Sequence, residues 1–469
     1  MPRPVSPFDV GGKAQLFIDR LLVRESQGVG FTLHPAEKHP SNPGVRADRP
    51  WEGWRLEIYG NVIYDEEEKI FKMWYLGEGG DHFPFEYPTL YATSTDGIEW
   101  EKPEIGTLRA VKGDPFKHNA VDQVRLAGVM KARGDTHPDR RYKMITFVDS
   151  PRNRRDYHTL VSPDGLNWKH FSREPLAPSS DVVTGYYDES RRLYVAYPKI
   201  GTRIRGHRRR GFYVTTSEDF MTWSRPELVL WPDLADDAGS FGRIEEVRSL
   251  LDVPDDPSFM RTEFYGMGFY LAESCTLAFP WLFTINNNAR YGSHEGPREL
   301  QLAVSRDLLN WERPFREPCV PRGGLADWDR GFFVTQSRAI RVGDEVWLYY
   351  GGSSYTHGTP CLYRSEGTGR GTTHTGSIGL APLEAGSLRV GRRPPRRWHT
   401  HHNSDSLFRR SLGNQCQDCR GRPHTRKSWT GRENRSRVGN LQMPSAGMIF
   451  VPRLSGLDRP RLQGYKGSQ

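Results

Sequence analysis

The sequence predicts an all-β fold, a β-propeller of five blades, and three observations carry that prediction. A Ser-x-Asp-x-x-x-Trp segment occurs four times, at residues 94–100, 162–168, 217–223 and 305–311. Each copy follows a short apolar stretch that reads as a strand: residues 90–93, 159–161, 212–216 and 302–304. The composition, with 13 Trp, 20 Tyr and 22 Phe but only 36% hydrophobic residues, suits short aromatic strands between polar loops better than helices around a large core. A chain of 469 residues reaches that length in one fold by repeating a unit.

The repeated segment is a hairpin. Its aspartate can accept hydrogen bonds from backbone amides across the turn, Gly97 and Gly165 permit positive φ there, and the indole packs beneath as an anchor. Upstream of each copy lies a second hairpin: residues 60–65 with 70–76, 124–126 with 142–147, 184–188 with 193–197, and 266–270 with 277–283. Two hairpins make a four-stranded blade. A fifth blade without the segment starts at residues 331–335, turns through Gly343 and Asp344 into residues 346–350, and takes residues 377–381 as its third strand. Ring closure removes exposed edges, and residues 15–23 are the expected strand to complete the last blade. Four or six blades remain open alternatives.

Two domains are expected: residues 1–390 as the propeller and residues 391–469 as a basic, irregular tail. The tail carries 17 Lys and Arg against 4 Asp and Glu, leaving 49 against 53 in the rest. It reads either as a disordered basic extension or as the product of a shifted reading frame. The body has no basic stripe with interleaved aromatics, so no nucleic-acid partner is expected. Five scattered cysteines give no disulfide framework, and Cys416 and Cys419 form only half of a zinc spacing, so neither a metal nor another cofactor is expected. Residues 1–13 lack the apolar run of a signal peptide or membrane helix, which makes a cytoplasmic location with no membrane partner the expectation. The oligomeric state is open.

In a propeller the first strand of each blade lines the central channel, and side chains near the strand starts converge at one mouth. Every predicted blade supplies an acid there: Glu57, Asp122, Asp181, Glu263, and Asp327 with Asp329. Glu273, which interrupts an apolar hairpin, is a further candidate. Glycoside cleavage requires two carboxyl groups, one to protonate the leaving oxygen and one ionised as nucleophile or base, and converging acids meet that requirement. Taken singly, each of these acids has a plainer role in capping a loop or accepting backbone amides. Trp54 and Trp328 are candidate stacking surfaces for a sugar ring, with Arg55, His118 and Arg125 as hydrogen-bond donors. No phosphate-binding loop, Gly-x-Ser-x-Gly elbow or His-Glu-x-x-His motif is present.

The repeated turn resembles the Asp-box of sialidases and other propellers. Over residues 15–385 the blade pattern, with Leu16 to Asp19, the segment from Asp65 to Tyr75 and the Ser-x-Asp-Gly-x-x-Trp turns, resembles the five-bladed propeller glycosidases of glycoside hydrolase families 32 and 43, particularly family 32 N-terminal-like bacterial proteins. The resemblance implies a nucleophile or base from blade one, a stabilising aspartate from blade two and a glutamate acid from blade three. By position these are Glu57, Asp122 and Asp181. The chain departs from the pattern in lacking Asn-Asp-Pro, Arg-Asp-Pro and Glu-Cys, and its acid types at blades one and three are exchanged. Two functions follow as expectations: a glycoside hydrolase with a carbohydrate substrate and paired-carboxylate chemistry, or a non-catalytic propeller that binds a glycan or a protein. A six-bladed sialidase is a distant third.

Overall fold

The computed structural model describes residues 10–27, 31–77, 82–83, 87–122, 125–131, 135–149, 155–172, 174–178, 181–289, 293–358, 375–384 and 399–402. The chain divides into two compact units, Met1–Ser406 and Leu407–Gln469, and every described residue belongs to the first.

Alternating apolar stretches fold into five antiparallel sheets, each a blade. Their inner strands are Leu56–Asp65, Arg125–Lys131, Val183–Asp188, Arg261–Leu271 and Phe332–Thr335. Each inner strand lies against the next, and that of blade V lies against that of blade I, so the five blades close a ring. The blade boundaries and the strands of the fifth blade fall where the sequence places them. Two short helices, Leu234–Ala238 and Ser240–Glu245, between blades III and IV are additions that the all-β pattern does not anticipate.

The closing strand is a correction. Residues 15–22 form turns rather than a strand, because Asp19 is drawn to Arg306, whose Nε and Nη2 donate to it at 2.7 and 3.0 Å. The edge of the third strand of blade V, Gly376–Glu384, is covered instead by residues 39–45. His39 N donates to Leu380 O at 2.9 Å, Val45 and Ile378 exchange backbone bonds, and the Asn42 amide accepts from Leu380 N and donates to Leu380 O, both at 2.8 Å. That edge would otherwise present unpaired backbone groups. The reading of residues 391–469 as an irregular tail lies outside the described residues except at His399–His402, which form a strand paired with Val23–Gln27. Of the cysteines, Cys275 and Cys319 are free and buried, and the other three lie outside the described residues.

The Ser-x-Asp turns join blades. In each, the aspartate accepts two successive backbone amides, as Asp96 does from Ile98 and Glu99 and Asp307 from Leu309 and Asn310. The residue after the aspartate has positive φ in all four: Gly97, Gly165, Phe220 and Leu308. In three of the four its carbonyl then receives a donor from the preceding blade, while Phe220 O accepts from Trp223 Nε1 of its own turn at 3.2 Å. Tyr349 OH donates to Gly97 O at 2.6 Å, Trp74 Nε1 to Gly165 O at 2.8 Å, and Tyr197 OH to Leu308 O at 3.4 Å.

Midway along the axis the channel is crossed by residues 335–339. Ser337 N donates to Gly60 O of blade I at 3.0 Å while Ser337 O accepts from Phe269 N of blade IV at 3.0 Å. Gly268 makes room for the crossing, since a Cβ there would stand 2.3 Å from Thr335 Oγ1 and 2.5 Å from Gln336 O. The crossing separates a mouth at the strand starts from a basin of about 680 Å³ at the strand ends.

Two outcomes test this account. Gly165→Ala places a Cβ 2.7 Å from the Trp74 ring at a φ of 79° and is expected to cost about 1–3 kcal/mol in a denaturant titration. Asn42→Ala removes both amide bonds to Leu380 and is expected to cost about 1–3 kcal/mol by the same measurement.

Candidate active site

The mouth is built from strand starts and from the chain that pairs with them. Glu57 and Tyr59 stand near the start of the inner strand of blade I, in the stretch where its register shifts. Arg55 brings its Nη1 to 3.3 Å from Glu57 Oε1, donates to Tyr355 OH at 3.2 Å, and lies 5.2 Å over the Trp54 ring. Trp54 and Tyr355 are themselves 5.4 Å apart, centroid to centroid.

Opposite them, three cations surround the Tyr265 ring of blade IV. Lys199 Nζ is 4.0 Å from its centroid, the Arg298 guanidinium 4.4 Å and that of Arg210 5.8 Å. Strand register explains the gathering. Val183 pairs with Pro198, which sets Lys199 beside the start of blade III, and Phe283 pairs with both Glu263 and Arg298, which sets Arg298 at the start of blade IV. Arg298 also lies 4.0 Å over the Phe332 ring and donates to Tyr59 OH at 3.3 Å, linking blades IV, V and I. Asp181, held at a φ of 90° just before the inner strand of blade III, pairs with Lys199. Burial, and then the charge of Asp181 with a smaller share from Glu57, raises the Tyr265 phenol, so both carboxylates act electrostatically on this part of the mouth.

The electrostatics follow from this crowding. Burial, with Arg210 and Arg298 adding repulsion, lowers the Lys199 ammonium to about 8 against the pull of Asp181. Burial, then the same Arg298 charge, pushes His357 well below its ordinary value. Burial and the charges of Arg210 and Arg261 bring His294 to about 4. Both imidazoles are therefore neutral at pH 7. Among the described residues no group of three His, Cys, Asp or Glu could hold a metal ion.

Of the residues singled out in the sequence, Glu57, Arg55, Trp54 and Asp181 meet at this mouth. Asp122 ends the outermost strand of blade I, paired with Thr89; its side chain and that of Arg125 lie outside the described ones. Others are placed elsewhere or already committed. Glu263 is 1% exposed and accepts from Arg209 Nε, Arg261 Nε and the backbone N of Arg210, so it is committed to these partners. Asp329, also buried, is bound by Lys38 at 2.7 Å and Tyr350 OH at 2.8 Å, and Trp328 stacks on Tyr350. His118 is buried beneath Trp51 and Phe83, with Nε2 at 3.0 Å from Leu108 O. Glu273 accepts from Ala14 N and borders the basin at the opposite end of the channel.

The sequence reading did not name Lys199, Arg210, Tyr265, Arg298, Tyr355 or His357 as site residues. The first, second and fourth of these come from second and third strands, which a survey of inner strands passes over. A signal was present: Lys199 ends the otherwise apolar run 193–198, and a cation closing a buried strand needs a reason.

No family model matches the chain, and no curated protein matches it. Among solved structures, a β-1,2-mannobiose phosphorylase from Listeria innocua aligns with a TM-score of 0.47 at 13% identity over 75% of this chain and 97% of that one. A glycosyl hydrolase from Bacteroides ovatus aligns at 0.45, with 12% identity over 79% and 97%. An exo-inulinase from Aspergillus awamori aligns at 0.41, with 10% identity over 74% and 64%. Likenesses of this degree carry no argument about chemistry, and the site is read from its own residues.

Lys199 gives the mouth a testable signature. Its folded value of about 8 lies below the ordinary 10.5, so the unfolded chain binds more protons between those limits and the charged lysine burdens the fold at neutral pH. Lys199→Met is expected to melt at or above the parent temperature at pH 7. The parent should gain on the variant as pH rises from 8 to 10.5, read by thermal melts across that range.

Proposed function

We propose that this propeller acts on a carbohydrate at the strand-start mouth, with Glu57 and Asp181 as the pair of carboxyl groups that cleave or transfer a glycosidic bond. The observation that carries the proposal is that the strand starts of blades I and III each bring one carboxylate to the mouth beside its own cation, Arg55 for Glu57 and Lys199, itself 4.0 Å from the Tyr265 ring, for Asp181. One carboxyl group would give a proton to the leaving oxygen while the other attacks the anomeric carbon or activates water. Asp122, at the end of blade I nearest to blade II, is proposed as a third member. Trp54 offers a ring for stacking on a sugar face, and the Tyr59 and Tyr355 hydroxyls and the Arg55 fork offer hydrogen bonds to its hydroxyl groups.

One observation favours a second reading, a glycan-binding module without turnover: each carboxylate already has a cation as partner, so neither needs a reaction to explain it. Amide variants separate the two. Against a panel of nitrophenyl glycosides and oligosaccharides, Glu57→Gln, Asp181→Asn and Asp122→Asn should each lower kcat by about 100-fold or more, with unchanged circular dichroism. Each should also flatten one limb of a bell-shaped pH profile. Binding of a glycan by the parent with no turnover of any substrate would establish the binding module, and near-parental turnover by all three amides would remove these acids from the chemistry.

A further inference from the structure

The mouth holds more positive than negative charge. Among the described residues it gathers Arg55, Lys199, Arg210 and Arg298 but only Glu57 and Asp181 as carboxylates. Arg55 and Lys199 each have an acid. Among the described residues Arg210 and Arg298 have none within ion-pair distance: Arg298, 1% exposed, has two aromatic rings and the Tyr59 hydroxyl around its guanidinium, and its Nε has no hydrogen-bond partner among them. Arg210 has its backbone N tied to Glu263 while its guanidinium, on a half-buried residue, lies over the rings of Tyr265 and Phe283. A buried charge without a counter-charge is costly, and clustering like charges raises that cost. Burial chiefly lowers Lys199, His294 and His357, and neighbouring arginine charges, Arg210 among them in each case, add to it. Structural cations elsewhere in the protein are treated differently. Arg209, equally buried, is held between Asp237 and Glu263, and Arg313 between Asp233 and Asp236.

Resting on the carbohydrate reading above, we propose that the mouth takes an acidic sugar, one that carries a carboxylate or an ester oxyanion, with that anion seated on Arg210 in the field of Lys199 and Arg298. A guanidinium offers paired donors that match the two oxygens of a carboxylate, and Arg210 is the member of the trio with exposed surface. The rings of Tyr265 and Phe283, each 5.8 Å from its guanidinium, neighbour it without consuming its donors. A neutral sugar would leave the surplus charge unanswered.

Calorimetric titration of the full chain against matched oligosaccharides tests the assignment, using galacturonate and glucuronate oligomers, a sulfated sugar, their neutral counterparts, and inorganic phosphate alone. At least one acidic sugar should bind about tenfold or more tighter than its neutral counterpart. Arg210→Gln, at a half-exposed position, should abolish that preference, and Arg210→Lys should restore part of it. Lys199→Met should reduce the preference without abolishing it. A preference for the carboxylate or for the ester identifies which anion the sugar carries. Equal binding of acidic and neutral sugars, or a preference that survives Arg210→Gln, overturns the inference and leaves the carbohydrate reading in place. Binding of inorganic phosphate with no binding of any sugar overturns both: it leaves an anion site, but for a free anion. Failure of every acidic sugar to bind while a neutral one does overturns the inference alone.

Discussion

The crossing of residues 335–339 through the channel is the constraint on which the rest of the molecule depends. A ring of blades left to itself has an open axis, and its inner strands are free to shift along one another. Here Ser337 is bonded to blade I on one side and blade IV on the other, Asn61 Nδ2 donates to Val129 O of blade II at 2.6 Å, and Asn61 Oδ1 accepts from Arg338 N at 3.3 Å. Three inner strands carry a register shift near this height, between Glu57 and Asn61, Arg125 and Gly128, and Phe264 and Met267. A bulge re-aims the residues before it. Those residues include Glu57, Tyr59 and Tyr265, so the same contacts that close the axis also set the floor and walls of the mouth.

The outer ring answers a different problem. Blades meet through aromatic faces, which give large burial but little direction, and three of the four Ser-x-Asp turns supply direction by offering one outward carbonyl to a fixed donor of the preceding blade. This explains why Phe220 and Leu308 tolerate positive φ in two of the turns. Leu308 is buried against blades III and IV, and Phe220 is packed on Tyr194 and Trp223 at 4.9 and 5.8 Å, so apolar burial offsets the strain that glycine avoids in the other two.

How much of this was legible in the sequence follows from the range over which each signal acts. The turns and inner hairpins rest on contacts between residues close in the chain, and their periodicity names them correctly, including a fifth blade that lacks the repeated turn. The closing segment does not, because residues 39–45 match no strand pattern: the bonds of Asn42 to Leu380 come from a side chain, and only the fold brings the two together. Residues 15–22 look more like a strand, yet Asp19 is committed to Arg306. The site divides in the same way. Glu57 and Arg55 are neighbours on one strand and could be named together, whereas Lys199, Arg210 and Arg298 converge only through the registers of three separate hairpins.

Those registers also show that the charge at the mouth is not an accident of packing. Lys199 and Arg298 each follow a proline, Lys199 after the apolar run 193–198 and Arg298 at the start of the strand Arg298–Leu300, where an apolar residue would bury with less cost among the surrounding rings. Arg209, on the same strand as Arg210, shows what the fold does with a cation that serves only structure: it brings two carboxylates to it, one on a short helix inserted between blades. A scaffold able to neutralise one arginine but leaving its sequence neighbour over bare aromatic rings is keeping part of its stability in reserve for whatever completes the site, and the sign of that missing charge is negative.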